Sequence, residues 1–244
     1  MSEKIALITG AARRIGATIT EHLHQYGYAV IIHCHHSIAD ARSLAEQLNS
    51  RRPDSALIIS QDLLQPQAAE RLIEQAIAWK NRLDLLVNNA SVFIRSPCGN
   101  LNMAQWQQQF TVNVQIPFQL SCLAAPYLEA QEGSIINITD IHAEKPLKGY
   151  AVYCQTKAAL LMQTKALARE LAPKVRVNAV APGAIAWPEQ ENLLTDDVRQ
   201  QIIAMTPLKR HGSPVYIAQA VVALAGNAFI TGQAINVDGG RSIN

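Results

Sequence analysis

Apolar residues gather in short runs at nearly regular intervals. They read "KIALIT" (4–9), "YAVIIH" (28–33), "SALIIS" (55–60), "LDLLVNN" (83–89), "SIINIT" (134–139), "VRVNAVA" (175–181) and "AINVDG" (234–239). Several are almost unbroken in Val, Ile and Leu, as strands buried on both faces are. Between them, helical spacing of apolar positions predicts helices near 14–26, 38–51, 66–80, 103–130, 151–171 and 214–226. This alternation predicts an α/β fold, a doubly wound parallel sheet of seven strands with helices on both faces and right-handed crossovers. The stretch 184–212 breaks the alternation between the sixth and seventh strands. An irregular segment there predicts a substrate loop or lid.

A chain of 244 residues fits one domain spanning 1–244. With 49% hydrophobic and 16% charged residues it can bury a core, which excludes a disordered chain. A net charge of +2 without a polybasic run argues against nucleic-acid or membrane-surface binding. No apolar run reaches the roughly 18 residues of a membrane span. The opening "MSEKIALITG" enters a strand directly and shows no signal-peptide pattern. Cys34, Cys98, Cys122 and Cys154 form no C-x-x-C pair, so no metal site is expected. They read as free thiols of a reducing cytoplasm.

The turn "TGAARRIG" (9–16) follows the first strand. Gly10 permits a sharp turn, and Gly16 lets the next helix pack close. Arg13, Arg14 and Ile15 lie between them. The spacing lacks the middle glycine of G-x-G-x-x-G, yet it can still aim helix N–H groups at a pyrophosphate. A glycine turn without any ligand is equally common, so this feature alone decides little. The second strand ends in "HCHHS", His33 to Ser37, with no carboxylate to repel a 2′-phosphate. His35, His36 and Ser37 can donate to one, and Arg13 and Arg14 are near. The expected cofactor is therefore NADPH rather than NADH. A plain polar loop is the competing reading. Asp62, with Leu63, follows the third strand, where it would hold an adenine amino group or cap the next helix. "NNAS" (88–91) brings Asn89, Ala90 and Ser91 to the end of the fourth strand, small enough for close cofactor approach.

Tyr153 and Lys157 are four residues apart on a predicted helix and share a face. A tyrosine near its unperturbed pKa of about 10 is a poor acid–base group, and a lysine ammonium beside it would lower that value. Such a tyrosine can pass a proton to a carbonyl oxygen or ring nitrogen. In isolation, though, Y-x-x-x-K is usually an ordinary surface pair. Asn113 could anchor a water that relays the proton, or could simply bridge helix backbone.

Taken in order, "TGAARRIG", "NNAS", Asn113, Y-x-x-x-K, "APG" (181–183) and "VDGG" (237–240) resemble the short-chain dehydrogenase/reductase family over essentially the whole chain. The resemblance implies a Rossmann-type sheet, a nicotinamide dinucleotide, and a tetramer or dimer, here expected to be a homotetramer. It gives Tyr153 the acid role, Lys157 the support role and Asn113 the relay. Pro182, Gly183 and Ile185 would complete the cofactor site. The family's usual serine, 13 residues before the tyrosine, is Asp140 here. An ionised aspartate cannot donate to a carbonyl, and it opposes phenolate formation. It suits a substrate that offers N–H donors. Within the family this pattern looks like the pteridine reductases. That likeness implies contacts from Arg14, Ser91, Phe93, Asp140, Tyr150, Tyr153 and Trp187 to a flat pterin, stacked between Phe93 and the nicotinamide. His36 stands where an arginine would hold the phosphate better. "AIAW" (184–187) lacks the threonine many relatives place on the carboxamide. The expected activity is NADPH-dependent reduction of a pterin, dihydrofolate included. Reduction of a ketone or 3-oxoacyl thioester is the alternative.

Overall fold

The computed structural model describes residues 3–187 and 195–244. Seven parallel strands form one sheet: β1 Lys4–Ile8, β2 Tyr28–Cys34, β3 Ala56–Ser60, β4 Leu85–Asn88, β5 Ser134–Ile138, β6 Arg176–Pro182 and β7 Ala234–Val237. Their order is β3-β2-β1-β4-β5-β6-β7. Helices α1 Arg14–Gln25, α2 Ile38–Arg51 and α3 Ala68–Lys80 join the first four strands. α4 Met103–Phe110, α5 Ile116–Glu129 and α6 Ala151–Glu170 follow, then α7 Asp196–Met205 and α8 Pro214–Gly226.

Successive residues of a strand point to opposite faces, so an unbroken apolar run feeds two cores. Ala6 and Ile8 of β1 join Val30, Ile32, Val87 and Val180 in one, where α1, α2 and α8 close it with Ile19, Leu44 and Ile217. Ile5 and Leu7 join Ile31, Leu86 and Val177 in the other, covered by Leu72 and Leu120 from α3 and α5. This two-faced burial is why the strands lack polar alternation. Among the described residues, no helix is long and apolar enough to cross a membrane.

The sequence pattern predicts one helix over 103–130, but the chain forms three pieces. Asn102 caps α4 by accepting from the N–H groups of Ala104 and Gln105 at 3.0 and 3.2 Å. A π turn, Thr111–Gln115, then separates α4 from α5. The proposed lid, 184–212, contains α7, whose first turn is capped by Thr195. Its residues 188–194 lie outside the described part of the chain.

The chain runs outward in both directions from the neighbours β1 and β4. Beyond the carboxyl ends of these strands lies the switch-point crevice where ligands bind in open α/β sheets.

Candidate active site

At the switch point the backbone itself is the binding surface. Gly10 has φ +61, and a Cβ on Gly16 would lie 2.1 Å from the Gly10 carbonyl oxygen. Neither position tolerates a side chain, so the turn stays tight and the first N–H groups of α1 stay open. Thr9 Oγ1 accepts from the N–H groups of Asn89 and Ala90, both at 3.0 Å. Asn89 Nδ2 donates back to the carbonyls of Thr9 and Gly10 at 2.8 and 3.0 Å. The ends of β1 and β4 are thus stitched together beneath the crevice.

The histidine cluster divides by role. His33 is buried; its Nδ1 accepts from Gly10 N–H at 3.1 Å, so its other nitrogen, Nε2, carries the proton and donates to the Gln61 carbonyl at 3.0 Å. Burial pushes its pKa down to about 4, so it is a neutral support for the glycine turn. The rings of His35 and His36 lie 3.5 Å apart, tilted by 31°, and line the crevice. Asp62 lies 3.8 Å from His35 Nδ1. Its carboxylate accepts from Leu64 N–H and Gln65 Nε2, which hold its pKa below the usual range. It therefore caps a turn ahead of α3 rather than α3 itself. Ser37 precedes α2 without a side-chain cap bond. Arg13 Nε lies 4.0 Å from Asp40 on the first turn of α2, an acid that the sequence around the second strand's end did not bring into view.

On the other side of the crevice, the Tyr153 hydroxyl donates to Asp140 Oδ2 at 2.8 Å. Asp140 Oδ1 accepts from His142 N–H at 2.8 Å, which fixes the carboxylate just past β5. Tyr153 is buried at the cleft wall. Its pKa lies well above 10, chiefly through burial and then through Asp140. This overturns the expectation that Lys157 lowers it. The lysine Nζ lies 5.6 Å from the ring centroid, whereas Asp140 touches the hydroxyl directly. Lys157 is 2% exposed and donates to the Ile138 carbonyl at 3.0 Å. Burial drops its own pKa to about 8, with Asp140 opposing the drop.

Asn113 sits in the π turn with its side chain fully committed. Its Oδ1 accepts from Ser91 Oγ and Val92 N–H, and its Nδ2 donates to the Val92 carbonyl and Thr156 Oγ1. The amide thereby ties the loop after β4 to α6. A water relay at Asn113 would have to use its backbone carbonyl. Pro117, four residues on, has no N–H to reach that carbonyl in helical fashion.

The aromatic groups form one wall. Phe93 stacks on Tyr150 at 4.3 Å and 6°, and meets Tyr153 edge-on at 4.7 Å. The Phe93 face toward Tyr150 is therefore taken. Arg14, with φ 54, reaches across to donate from Nη2 to the Trp187 carbonyl at 2.7 Å. Trp187 stacks on His211 at 4.1 Å, with Arg199 of α7 5.7 Å from its ring. It is both a cleft wall and a packing surface for α7.

A single cleft of about 920 Å³ collects these groups. Of the residues singled out from sequence, all but Ser37 and Asn113 line it. It is also lined by Thr139, His142 and Leu147 near Asp140, by Val198 and Ile202 of α7, and by Arg241. Val198 and Ile202 fall in the expected lid segment; Thr139, His142, Leu147 and Arg241 were not foreseen, and the "VDGG" turn just before Arg241 was the one signal for it. Among the described residues no group of three or more His, Cys, Asp or Glu side chains could hold a metal ion.

Residues 10–242 match the family profile described as enoyl-(acyl carrier protein) reductase, a short-chain dehydrogenase profile. The 3-oxoacyl-[acyl-carrier-protein] reductase FabG of Staphylococcus epidermidis is 34% identical, over 97% of this chain and 98% of that protein. Among solved structures, FolM alternative dihydrofolate reductase 1 of Brucella suis, in complex with NADP, superposes with a TM-score of 0.92. It is 33% identical, over 99% of this chain and 96% of the other. The Brucella canis protein, also with NADP, gives 0.89 at 33% identity, over 99% and 95%.

Proposed function

The chain belongs to the short-chain dehydrogenase/reductase family, and from that premise we propose that it reduces pterins, dihydrofolate among them, using NADPH. The observation that carries this reading is the Tyr153–Asp140 contact of 2.8 Å at the cleft floor.

The residues present fit the dinucleotide. A Cβ at Gly16 would clash with the Gly10 carbonyl and force the turn open, and no carboxylate ends β2. Gly10 to Gly16 and Asn89 to Ser91 would hold the phosphates and ribose, with Pro182, Gly183 and Ile185 on the nicotinamide side. Arg13, His35, His36 and Ser37 would hold the 2′-phosphate, and Asp62 with Leu63 would flank the adenine. When bound, NADPH supplies the hydride.

The chain's own task is the proton. A phenolate on Tyr153 would face the Asp140 carboxylate, a repulsion of order 5 kcal/mol at an effective dielectric near 20 before solvent screening. Tyr153 is therefore a proton donor only if its proton is replaced as it leaves; Asp140, once it has taken a proton from cleft water, is the group placed to pass one on. Asp140 also accepts N–H groups of the substrate, which a pterin has and a ketone lacks. Phe93 would stack on the flat ring, Arg14 and Ser91 would reach its acceptors, and Tyr150 and Trp187 would wall the site. Lys157 orients the ribose, and Asn113 holds the loop that carries Ser91 and Phe93. The segment 184–212 acts as the lid.

The likeness to FabG favours a second reading, reduction of a 3-oxoacyl thioester. Asp140 tells against it, because a carboxylate cannot donate to a ketone oxygen. NADPH oxidation with dihydrobiopterin, dihydromonapterin, dihydrofolate and a 3-oxoacyl ester separates the two. Turnover of the ester alone would overturn the pterin reading. A homotetramer is part of the proposal, since α5 and α6 expose Phe118, Tyr127 and Met162, and Phe229 and Ile235 stand exposed around β7. The cytoplasm is the proposed location.

A further inference from the structure

Arg241 is a cation that the cofactor reading does not use. It follows β7, which is four strand spacings from β1, or roughly 19 Å at about 4.8 Å per spacing. Arg13 serves the dinucleotide end and Arg14 the pterin ring; Arg241 lines the same cleft as Asp140.

Its placement is built. Gly239 and Gly240 take φ +65 and +85, and added Cβ atoms would meet Thr206 at 2.8 Å and Pro207 at 3.0 Å. Only glycines permit this double turn. Asp238 accepts from the N–H groups of Gly240 and Ser242 at 2.9 and 2.6 Å. Lys145 Nζ donates to the Arg241 carbonyl at 2.8 Å, and Asn244 Nδ2 donates to the Met205 carbonyl at 2.6 Å. The turn is thus clasped to the loop after β5 and to the end of α7.

The guanidinium, by contrast, makes no hydrogen bond among the described residues. Asp140 and Asp238 stabilise its charge from a distance, but burial outweighs them and lowers its pKa. The Asp238 oxygens accept from the N–H groups of the turn and not from the guanidinium. A half-buried guanidinium with five unused donors, facing a cleft, is complementary to an oxyanion. Asp140 would repel an anion at the cleft floor, which leaves the space beside Arg241 for it.

We propose that Arg241 is a specificity-determining residue that binds an anionic substituent, carboxylate or phosphate, carried by the substrate outside the group being reduced. The proposal rests on the pterin reading for its first substrate pair. That pair is dihydrofolate, with glutamate carboxylates, and dihydrobiopterin, with a neutral side chain. Arg241→Gln should raise KM for dihydrofolate about tenfold or more, the scale of a lost charge-assisted bond. It should leave kcat within about twofold and KM for dihydrobiopterin nearly unchanged. Arg241→Lys should restore part of the loss. An unchanged Kd for NADPH checks that the variant is folded.

Equal losses on both pterins, or no loss on either, would overturn the proposal. If the wild type turns over no pterin, the pterin reading fails while Arg241 remains testable. Acetoacetyl-CoA, with its phosphates, is then compared with the neutral N-acetylcysteamine thioester, and the same ratio decides. A wild type that turns over neither pair overturns both.

Discussion

Tyr153 and Asp140 share one hydrogen bond of 2.8 Å, between a buried phenol at the cleft wall and a carboxylate that a backbone N–H holds in place. The pair sets the chemistry of the cleft in a way that Tyr153 and Lys157 alone would not. Burial and the neighbouring carboxylate both favour the protonated phenol. The tyrosine is therefore a retained acid at neutral pH, and its proton is released only into a group basic enough to take it.

Tyr153→Phe removes that proton and keeps the ring that meets Phe93 edge-on. We expect kcat to fall by about 10²- to 10⁴-fold, the usual worth of a positioned general acid. The NADPH Kd should stay within about threefold, because the phosphate turn lies elsewhere. Titration of NADPH binding by fluorescence, beside steady-state rates, checks both halves. Activity within tenfold of wild type would remove Tyr153 from the acid role.

Asp140→Ser exchanges an acceptor for a group that can also donate. It deletes the charge facing the phenol, so the Tyr153 pKa should move down toward the ordinary tyrosine value. Pterin kcat/KM should drop by about tenfold or more, while turnover of a small ketone or oxoacyl ester should hold or rise. The ratio of the two activities is the readout. A ratio that does not move would show that Asp140 has no part in choosing the substrate.

Lys157 carries a charge into a site where burial lowers its pKa from 10.5 to about 8. Below pH 8 it is protonated in both folded and unfolded chains, and the fold bears the full cost of the buried ammonium. Between about 8 and 10.5 the unfolded chain binds more protons, so this group's contribution to stability rises with pH, by roughly 3 kcal/mol at most. Denaturation of wild type and Lys157→Met from pH 7 to pH 10 should show the difference shifting toward wild type. Activity should move the opposite way, with kcat/KM falling as pH rises through about 8 and the ammonium is lost. A pH-independent stability difference would mean that Lys157 does not titrate in this range.

Much of the site was legible because its residues lie where glycine turns and strand ends must put them. Gly10, Gly16 and Asn89 follow from that topology, and Tyr153 and Lys157 from helical spacing. Three features were less legible, each for a physical reason. The helix break at Asn113 leaves the apolar periodicity intact, and only Pro117 marks it. The direction of the Tyr153 shift depends on whether Lys157 or Asp140 reaches the hydroxyl, which spacing cannot tell. Arg241 enters the cleft through left-handed turns at Gly239 and Gly240 and a clasp by Lys145, 96 residues away. Contacts that close only in the tertiary fold leave little periodic trace.

The Arg13–Asp40 pair was hidden for the same reason, and it gives a test of cofactor choice. Arg13 Nε lies 4.0 Å from Asp40 Oδ2, with both side chains about half exposed, at 50% and 55%. If Arg13 is a 2′-phosphate ligand, Asp40 competes for it and also repels the phosphate. Exposed pairs of this kind are worth about 0.2–1 kcal/mol. Asp40→Asn should therefore lower KM for NADPH by about two- to fivefold at low salt. The gain should shrink above about 0.15 M salt as screening grows. KM for NADH, which has no 2′-phosphate, should stay unchanged. Parallel shifts for the two cofactors would place the effect of Asp40 on the fold of α2 rather than on the phosphate, and would take Arg13 out of the cofactor site.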